Sequence, residues 1–238
     1  MKILGLESSA KAASAALTED GKLLARTYQN IGLTHSRTLL PMAEAMLRSC
    51  GLSMDDVGAV AVAAGPGSFT GLRIGVSAAK GLAWARALPC AAVSTLEAMA
   101  QNLAHLEGCV IVCAMDARRS QVYNALFLAE GGQLARLCPD RAAALSQVCE
   151  DLQGETRPKI VVGDGALLCY NALMDAGIAC RLAPEALRMQ DAVGVCLCAE
   201  AAAKADRLIS ADALQPVYLR LSQAERERLR RQQESKAE

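Results

Sequence analysis

The sequence is poor in histidine and in aromatic residues. Only two residues are histidines, His35 and His105, and Phe, Trp and Tyr together make up 3% of the chain. Zinc and related metals are usually held by histidines or cysteines at short, paired spacings, which these two histidines do not provide. We therefore expect no metal site, and the same shortage argues against a metallopeptidase. The core is expected to be built from Ala, Leu and Val.

The chain also lacks a net charge. Its 25 basic residues balance 25 acidic residues, so the formal charge is zero. A protein that binds nucleic acid on its own usually carries a basic excess, because its affinity comes largely from contacts with phosphates. Any contact with nucleic acid is therefore expected to depend on a local patch or on a partner.

Long apolar segments are absent as well. No uninterrupted apolar run reaches the ~18 residues that suggest a membrane span, and the N-terminal stretch turns polar after Leu6, unlike a signal peptide. A cytoplasmic protein without membrane contact is therefore expected. In that compartment the ten cysteines are expected to be thiols rather than disulfides. Their position in apolar runs favours core packing over metal or redox work.

The most informative stretch spans residues 57–82. An apolar run predicts a buried strand, which breaks at Gly65-Pro-Gly67 and is followed by a helix that Ser68 or Thr70 would cap. This arrangement directs backbone N–H groups and a helix N-terminus towards one place, where an anion binds readily. The spacing matches neither of the two common phosphate-binding motifs. A tight turn without a ligand is the equal alternative.

Two predicted helices carry candidate contact faces. In the helix predicted over 71–87, small residues recur at helical spacing, although glycine lowers helix stability. Such a stripe allows close packing, either on the chain's own sheet or on a second subunit. The stripe comprises Gly71, Gly75, Ala78, Gly81 and Ala85. The helix predicted over 36–50 presents an apolar face formed by Leu39, Leu40, Ala43, Met46 and Leu47.

The two halves of the sequence repeat a pattern of strand, acidic turn and returning strand. The first acidic turn is Glu7-Ser-Ser9, and the second is residues 116–119. The repetition predicts a duplicated α/β fold, with a lobe at 1–106, a second lobe at 107–221 and a charged tail at 222–238. The sequence leaves open whether the alanine-rich helix predicted over 190–206 packs back on the first lobe. The other predicted elements are strands at 2–6, 13–18, 22–28, 89–93, 110–115, 121–128 and 159–162, helices at 139–152 and 166–176, and an extended segment at 215–220.

With these features the chain resembles the TsaB family of the actin-like ATPase superfamily, and the resemblance covers nearly the whole sequence. The stretch Gly65-Pro-Gly-Ser-Phe-Thr-Gly-Leu-Arg-Ile-Gly75 is the most specific part. The other matching stretches are Ile3-Leu-Gly-Leu-Glu-Ser-Ser9, His35-Ser-Arg-Thr-Leu-Leu-Pro41, Val93-Ser-Thr-Leu-Glu97, Met115-Asp-Ala-Arg-Arg119 with Val122-Tyr123, and Pro216-Val-Tyr-Leu-Arg220.

The resemblance implies a two-lobed actin-like ATPase fold, related to ribonuclease H, with duplicated mixed β-sheets and a reduced second lobe. In the related enzyme TsaD, two metal-binding histidines lie in an Asn-His-x-Glu-Gly-His stretch. Thr95 and Met99 stand at those positions here, and a hydroxyl and a thioether do not replace two imidazoles. The adenosine loop of the superfamily is not evident at residues 163–168. The resemblance therefore implies a degenerate, non-catalytic chain without cofactor, whose vestigial nucleotide cleft would comprise Glu7, Ser8, Ser9, Gly65, Gly67 and Ser68.

The function implied by the resemblance is that of a partner subunit. It would dimerise with and activate TsaD, which transfers a threonylcarbamoyl group to tRNA beside the anticodon. The ATPase TsaE joins the larger assembly, and tRNA is reached only through the complex. The two candidate contact faces would bind TsaD, and a homodimer is the alternative when TsaD is absent. Two rival functions are a stand-alone ATP-dependent phosphotransferase with Asp116 as base, and a serine hydrolase that needs a histidine near Ser68.

Overall fold

The computed structural model describes residues 1–220, and the charged tail predicted at 222–238 lies outside this range. The chain forms two mixed β-sheets with helices on their faces. The strands are β1 (Lys2–Glu7), β2 (Ala13–Glu19), β3 (Lys22–Gln29), β4 (Ala59–Gly65), β5 (Cys90–Ser94), β6 (Val110–Asp116), β7 (Gln121–Glu130), β8 (Gln133–Arg136), β9 (Arg141–Ala144), β10 (Lys159–Val162) and β11 (Arg181–Leu182). The α-helices are α1 (His35–Ser49), α2 (Phe69–Trp84), α3 (Thr95–Gln101), α4 (Leu145–Leu152), α5 (Ala166–Asp175), α6 (Glu185–Arg188) and α7 (Ala192–Lys204).

The first sheet has the order β3-β2-β1-β4-β5. β1 pairs antiparallel with β2 and parallel with β4. β1 and β4 lie inside the sheet, and because helices cover both of its faces their sequences are nearly continuous apolar runs. Because side chains alternate along a strand, Leu4 and Leu6 face α1 and α2, whereas Ile3 faces α7. α7, the last helix among the described residues, thus packs on the first strands of the chain.

The second sheet has the order β11-β10-β6-β7-β8, and β9 pairs with the other half of β7. Read from its hairpin edge, β8-β7-β6-β10-β11 repeats the order of the first sheet. α4 and α5 cover one face, and α3 lies between the other face and α7. The duplication expected from the sequence is therefore confirmed. The second copy is reduced, since α5 has 10 residues where α2 has 16.

The structure corrects one element and adds others. The helix predicted over 139–152 begins only at Leu145, because residues 141–144 form β9 and pair with β7 from Gln121 to Asn124. The alanines in this segment favour a helix, but the free edge of the long β7 strand determines its conformation. Four further short elements were not predicted: β8, β11, α6 and a one-turn 3-10 helix at Met54–Asp56.

All ten cysteines are free thiols, and five of them are buried. The five buried cysteines contribute to core packing, as the sequence predicted, whereas Cys50 is exposed. In the part of the chain that the structure describes, no helix has both the length and the apolarity that a membrane crossing requires.

Candidate functional site

A cleft of about 400 Å³ opens where the ends of β1, β4, β6 and β10 meet between the two sheets. Its size is in the range of small-molecule sites. Loops after all four strands contribute side chains, and the segment at 215–220 forms a further wall. Polar and aromatic groups face each other across it, among them Ser9, Ser68, Phe69, Asp116, Asp164 and Tyr218.

Glu7, at the end of β1, is fully buried beneath the cleft. Its Oε1 accepts a hydrogen bond from the Ser9 backbone N–H at 2.5 Å, and its Oε2 has no hydrogen-bond partner. Burial raises the pKa of Glu7 to about 7, although the Ser9 bond opposes this rise, and the nearby Asp191 and Asp164 add to it. This carboxyl is therefore only partly ionised near neutral pH.

The glycine loop after β4 is docked on the turn that follows Glu7. The Ser68 backbone N–H donates to the Ser9 carbonyl at 2.6 Å, and a Cβ at Gly67 would lie 2.5 Å from that oxygen. Ser68 also caps α2, since its Oγ accepts from the Gly71 N–H at 3.3 Å. The glycine loop thus packs closely on the chain's own turn after β1. The geometry favours the tight turn over the anion site that the sequence left as an equal alternative.

The predicted stripe of small residues on α2 divides into two parts. A Cβ at Gly71 would overlap the Ser8 carbonyl oxygen, and one at Gly75 would lie 2.5 Å from Ser8 Oγ. These two glycines allow α2 to pack on the β1–β2 turn. In contrast, a Cβ at Gly81 would have no atom within 4 Å, and Gly81 lies on the solvent-exposed side of the helix.

The remaining predicted contact residues also divide by exposure. Four from α1 lie in the core between that helix and the first sheet, where no docked protein reaches them: Leu39, Ala43, Met46 and Leu47. Leu40 and Ala85 are exposed, and Ala78 is half-buried. Of the predicted cleft residues, Ser9, Gly67 and Ser68 line the cleft, and Glu7, Ser8 and Gly65 lie just behind it.

The second half of the molecule contributes two carboxylates to the cleft. Asp116 is exposed, and its Oδ1 accepts the Arg118 backbone N–H at 2.7 Å. Asp164 lies in the glycine loop after β10 and accepts a hydrogen bond from Gln190 Nε2 at 2.9 Å. Burial raises the pKa of Asp164 despite that bond.

Two cleft residues, Phe69 and Tyr218, form one cluster with Arg73, and the sequence singled out none of the three. The rings of Phe69 and Tyr218 stack with centroids 4.6 Å apart, and the Arg73 guanidinium lies 3.9 Å from the Phe69 ring centroid. Arg73 Nε–H also donates to the Tyr218 hydroxyl at 3.1 Å. Phe69 and Arg73 belong to one of the quoted motifs and Tyr218 to another, but nothing in the sequence indicates that the two motifs touch.

The positions of the two TsaD histidines lie inside the protein. Thr95 and Met99, at the start of α3, are both buried, and Met99 packs among apolar residues of the second sheet. Among residues 1–220, no group of three or more His, Cys, Asp or Glu side chains is placed to hold a metal ion. His35 is in contact with the backbone, its Nε2 lying 2.7 Å from the Ala10 carbonyl oxygen.

Comparison with known proteins places the chain. A family model described as TsaD, tRNA N6-adenosine threonylcarbamoyltransferase, matches residues 30–227. The tRNA threonylcarbamoyladenosine biosynthesis protein TsaB of Bacillus subtilis (strain 168) is 35% identical over 175 residues, which cover 74% of this chain and 76% of that protein. TsaB of Haemophilus influenzae is 32% identical over 231 residues, covering 92% and 94%. The tRNA N6-adenosine threonylcarbamoyltransferase of Bordetella pertussis is matched over 67% of this chain but 49% of its own length.

Solved structures agree in fold. YeaZ from Pseudomonas aeruginosa superposes with a TM-score of 0.79 at 26% identity, covering 92% of this chain and 99% of that one. The ROK hexokinase from Thermus thermophilus, at 14% identity and a TM-score of 0.50, shows a shared fold only. The two-lobed actin-like fold with duplicated sheets is thus confirmed. Since the TsaB proteins are matched over most of their length and the transferases over half of theirs, this chain belongs to the TsaB family, also called YeaZ.

Proposed function

We propose that this chain is a non-catalytic partner subunit that binds and activates a TsaD-type threonylcarbamoyltransferase in the synthesis of N6-threonylcarbamoyladenosine in tRNA. The names of its TsaB relatives support the process, and the TsaD family model that matches residues 30–227 supports a partner of related fold. TsaE joins the larger assembly, tRNA is contacted only through the complex, and a second copy of the chain competes for the same face.

The outer face of α2 carries the proposal. Trp84, the only tryptophan of the chain, is 72% exposed at the end of this helix. The same side of α2 presents Gly81 and Ser77, one and two turns before it, so a partner helix finds a shallow groove beside a large aromatic anchor. Exposed tryptophan is characteristic of protein interfaces, where burial of one such side chain contributes much of the binding free energy.

The neighbouring helix extends this surface. α1 packs beside α2 and exposes Leu40, and the segment before it exposes Ile31 and Leu33. Exposed apolar side chains of this kind are expected at a docking site. The partner surface that we propose is therefore the exposed part of the predicted faces, Leu40, Ala78, Gly81 and Ala85, with Trp84 added.

We propose that the chain is not catalytic because of the residues at the two positions where the related transferase has its metal-binding histidines. Thr95 and Met99 offer no imidazole, and their burial leaves no open coordination position for a substrate. We propose that the fold was retained for its outer surface, and that residues 1–106 and 107–221 serve as a docking lobe and a supporting lobe.

The test replaces Gly81 by arginine, because a Cβ at this position would have no atom of the chain within 4 Å. The full chain and Gly81→Arg are each mixed with the cognate TsaD and analysed by size-exclusion chromatography with light scattering. We expect a heterodimer for the native chain, and for the variant a loss of affinity of at least 100-fold with a melting temperature no lower than that of the native chain. The same mixtures are assayed for threonylcarbamoyl transfer to tRNA.

Asn171→Arg is the matched control. It places the same charge on the exposed side of α5, the counterpart of α2 in the second half, and is expected to leave the heterodimer intact. Equal binding by native chain and Gly81→Arg would contradict the proposed surface. Absence of any complex would contradict the partner role, and ATP turnover by the isolated chain would favour the phosphotransferase alternative.

A further inference from the structure

The segment Gln215–Arg220 crosses the mouth of the cleft from one sheet to the other. The Val217 backbone N–H donates to the carbonyl oxygen of Ala64, in β4 of the first sheet, at 2.7 Å. Three residues later, Arg220 Nη1 donates to the Ala117 carbonyl, just after β6 of the second sheet, at 2.6 Å. We call residues 215–220 the strap. Its two ends are therefore bonded to different sheets.

A second set of contacts fixes the middle of the strap. The Tyr218 ring stacks on Phe69, and its hydroxyl accepts a hydrogen bond from Arg73. Phe69 and Arg73 lie one turn apart at the start of α2, and the Arg73 guanidinium covers the Phe69 ring. The three side chains form a clasp that holds the strap on α2.

The glycine loop is shaped to receive this segment. Gly65 has a φ of +139°, and a Cβ built on it would overlap the carbonyl oxygen of Val217. Any other residue at this position would be strained and would also displace the strap. The two motifs, 65–75 and 216–220, therefore form a single matched unit.

The strap is nevertheless weakly held compared with the elements it joins. Leu214, immediately before it, is fully buried in the core, whereas Val217 and Tyr218 are 52% and 38% exposed. Segments that bury little apolar surface and rest on a few hydrogen bonds open at a lower free energy than the core of the same protein. The strap thus begins at a fixed point and is otherwise bound by a few removable contacts.

We propose that residues 215–220 form a releasable strap, docked on α2 through the Phe69–Arg73–Tyr218 clasp, and that its opening controls the entry of small molecules into the cleft. Tyr218, Leu219 and Arg220 form one wall of the cleft in the docked state. A ligand that needs the open state binds with an affinity reduced in proportion to the population of that state. Weakening the clasp therefore raises the population of the open state and, with it, the apparent affinity for the ligand.

Hydrogen–deuterium exchange on the full chain tests the first part. In Tyr218→Ala, which removes the ring and the hydroxyl, we expect exchange in peptides covering 215–220 to accelerate about tenfold, the order of effect of one aromatic pair. Tyr218→Phe keeps the ring and is expected to change the rate only a few-fold. Tyr28→Ala removes a comparably exposed tyrosine from β3 and is expected to leave the strap unchanged.

Binding of a fluorescent ATP analogue with Mg²⁺ tests the second part. We expect its affinity to rise about tenfold in Tyr218→Ala, in parallel with the exchange rate. Unprotected exchange of the strap in the native chain would overturn the docked state. Faster exchange with unchanged affinity, or no detectable binding in any variant, would overturn the control of entry. If Tyr218→Ala lowers the melting temperature, Arg73→Met removes the same hydrogen bond from an exposed helix position and takes its place.

Discussion

In the first half of the molecule the turn after β1 carries Glu7, and in the second half the turn after β6 carries Asp116. Each carboxylate accepts the backbone N–H of the residue two positions on, from Ser9 in one turn and Arg118 in the other. The backbone pattern is thus repeated, but Glu7 is fully buried while Asp116 is open to solvent.

The difference comes from what covers each turn. In the first half, the 16-residue α2 packs on Ser8 through Gly71 and Gly75 and excludes water from Glu7. In the second half, the glycine loop packs on the backbone at the end of β6, Gly163 on Ala114 and Gly165 on Asp116, and the carboxylate of Asp116 stays exposed. A duplicated strand order therefore does not imply duplicated chemistry, because neighbouring loops set the burial of each side chain.

The largest expected loss of stability comes from substitutions in the two glycine loops, and its size should differ between the loops. Gly163 has a φ of +114°, and a Cβ there would overlap the carbonyl oxygen of Ala114, which is fixed in β6. The Gly65 Cβ would instead meet the strap, which is able to move. We expect Gly163→Ala to lower the free energy of unfolding by roughly 3–5 kcal/mol, and Gly65→Ala to lower it by roughly 1–3 kcal/mol.

Urea unfolding measures both losses. Hydrogen exchange distinguishes them further, since Gly65→Ala is expected to expose the strap and Gly163→Ala is not. An equal loss in both variants would show that the strap is as rigid as β6 and would remove this contrast between the halves.

The acidic turn of the first half is expected to make the stability of the protein depend on pH. Because the folded state raises the pKa of Glu7 from 4.5 to about 7, it binds more protons than the unfolded state between these values. The free energy of unfolding therefore falls as pH rises through this window and stays lower above it. Glu7→Gln abolishes this fall, so the variant is expected to gain on the order of 2–3 kcal/mol over the native chain at pH 8.

Thermal or urea unfolding at pH 4.5 and pH 8 measures this gain. Asp116→Asn, in the exposed turn of the second half, and Glu130→Gln, on the surface, serve as controls for the loss of a carboxylate. A parallel pH profile for Glu7→Gln and the native chain would show that water reaches the Glu7 carboxyl.

The smallest expected change in stability concerns the two parts of the small-residue stripe on α2, where the same substitution should have opposite signs. Gly81→Ala adds a methyl group in open space and is expected to stabilise the helix by about 0.5–1 kcal/mol. Gly75→Ala, in the same helix, brings a methyl group against Ser8 and Val62 and is expected to destabilise. Melting temperatures of the two variants provide the measurement, and a stabilising Gly75→Ala would contradict the tight packing.

Much of the fold was predictable because the sequence repeats its own pattern. Strand, acidic turn and returning strand occur twice, and the predicted strands at 2–6, 110–115 and 159–162 lie within one residue of those observed. Errors arose where partners distant in sequence determine the structure. β9 is an alanine-rich segment that became a strand because β7 had a free edge.

The candidate site was less predictable for a related reason. The apolar stripes of α1 and α2 were visible in the sequence, but the stripe alone does not reveal whether Leu39 faces a sheet or a partner. The contact between Phe69 and Tyr218 joins residues that are far apart in the chain, so only the folded arrangement reveals it. The raised pKa of Glu7 likewise depends on α2 closing over it.

The position of α7 has a consequence for synthesis of the chain on the ribosome. The face of the first sheet formed by Ile3, Ala16 and Ala61 is covered by Val195 and Cys196 of α7, which follows β4 only after the whole second sheet. At ~5–20 residues per second, the nascent chain carries β1 to β4 for on the order of ten seconds before α7 is made. Throughout that interval the N-terminal sheet has one uncovered apolar face, so its native packing is completed only after α7 has been synthesised.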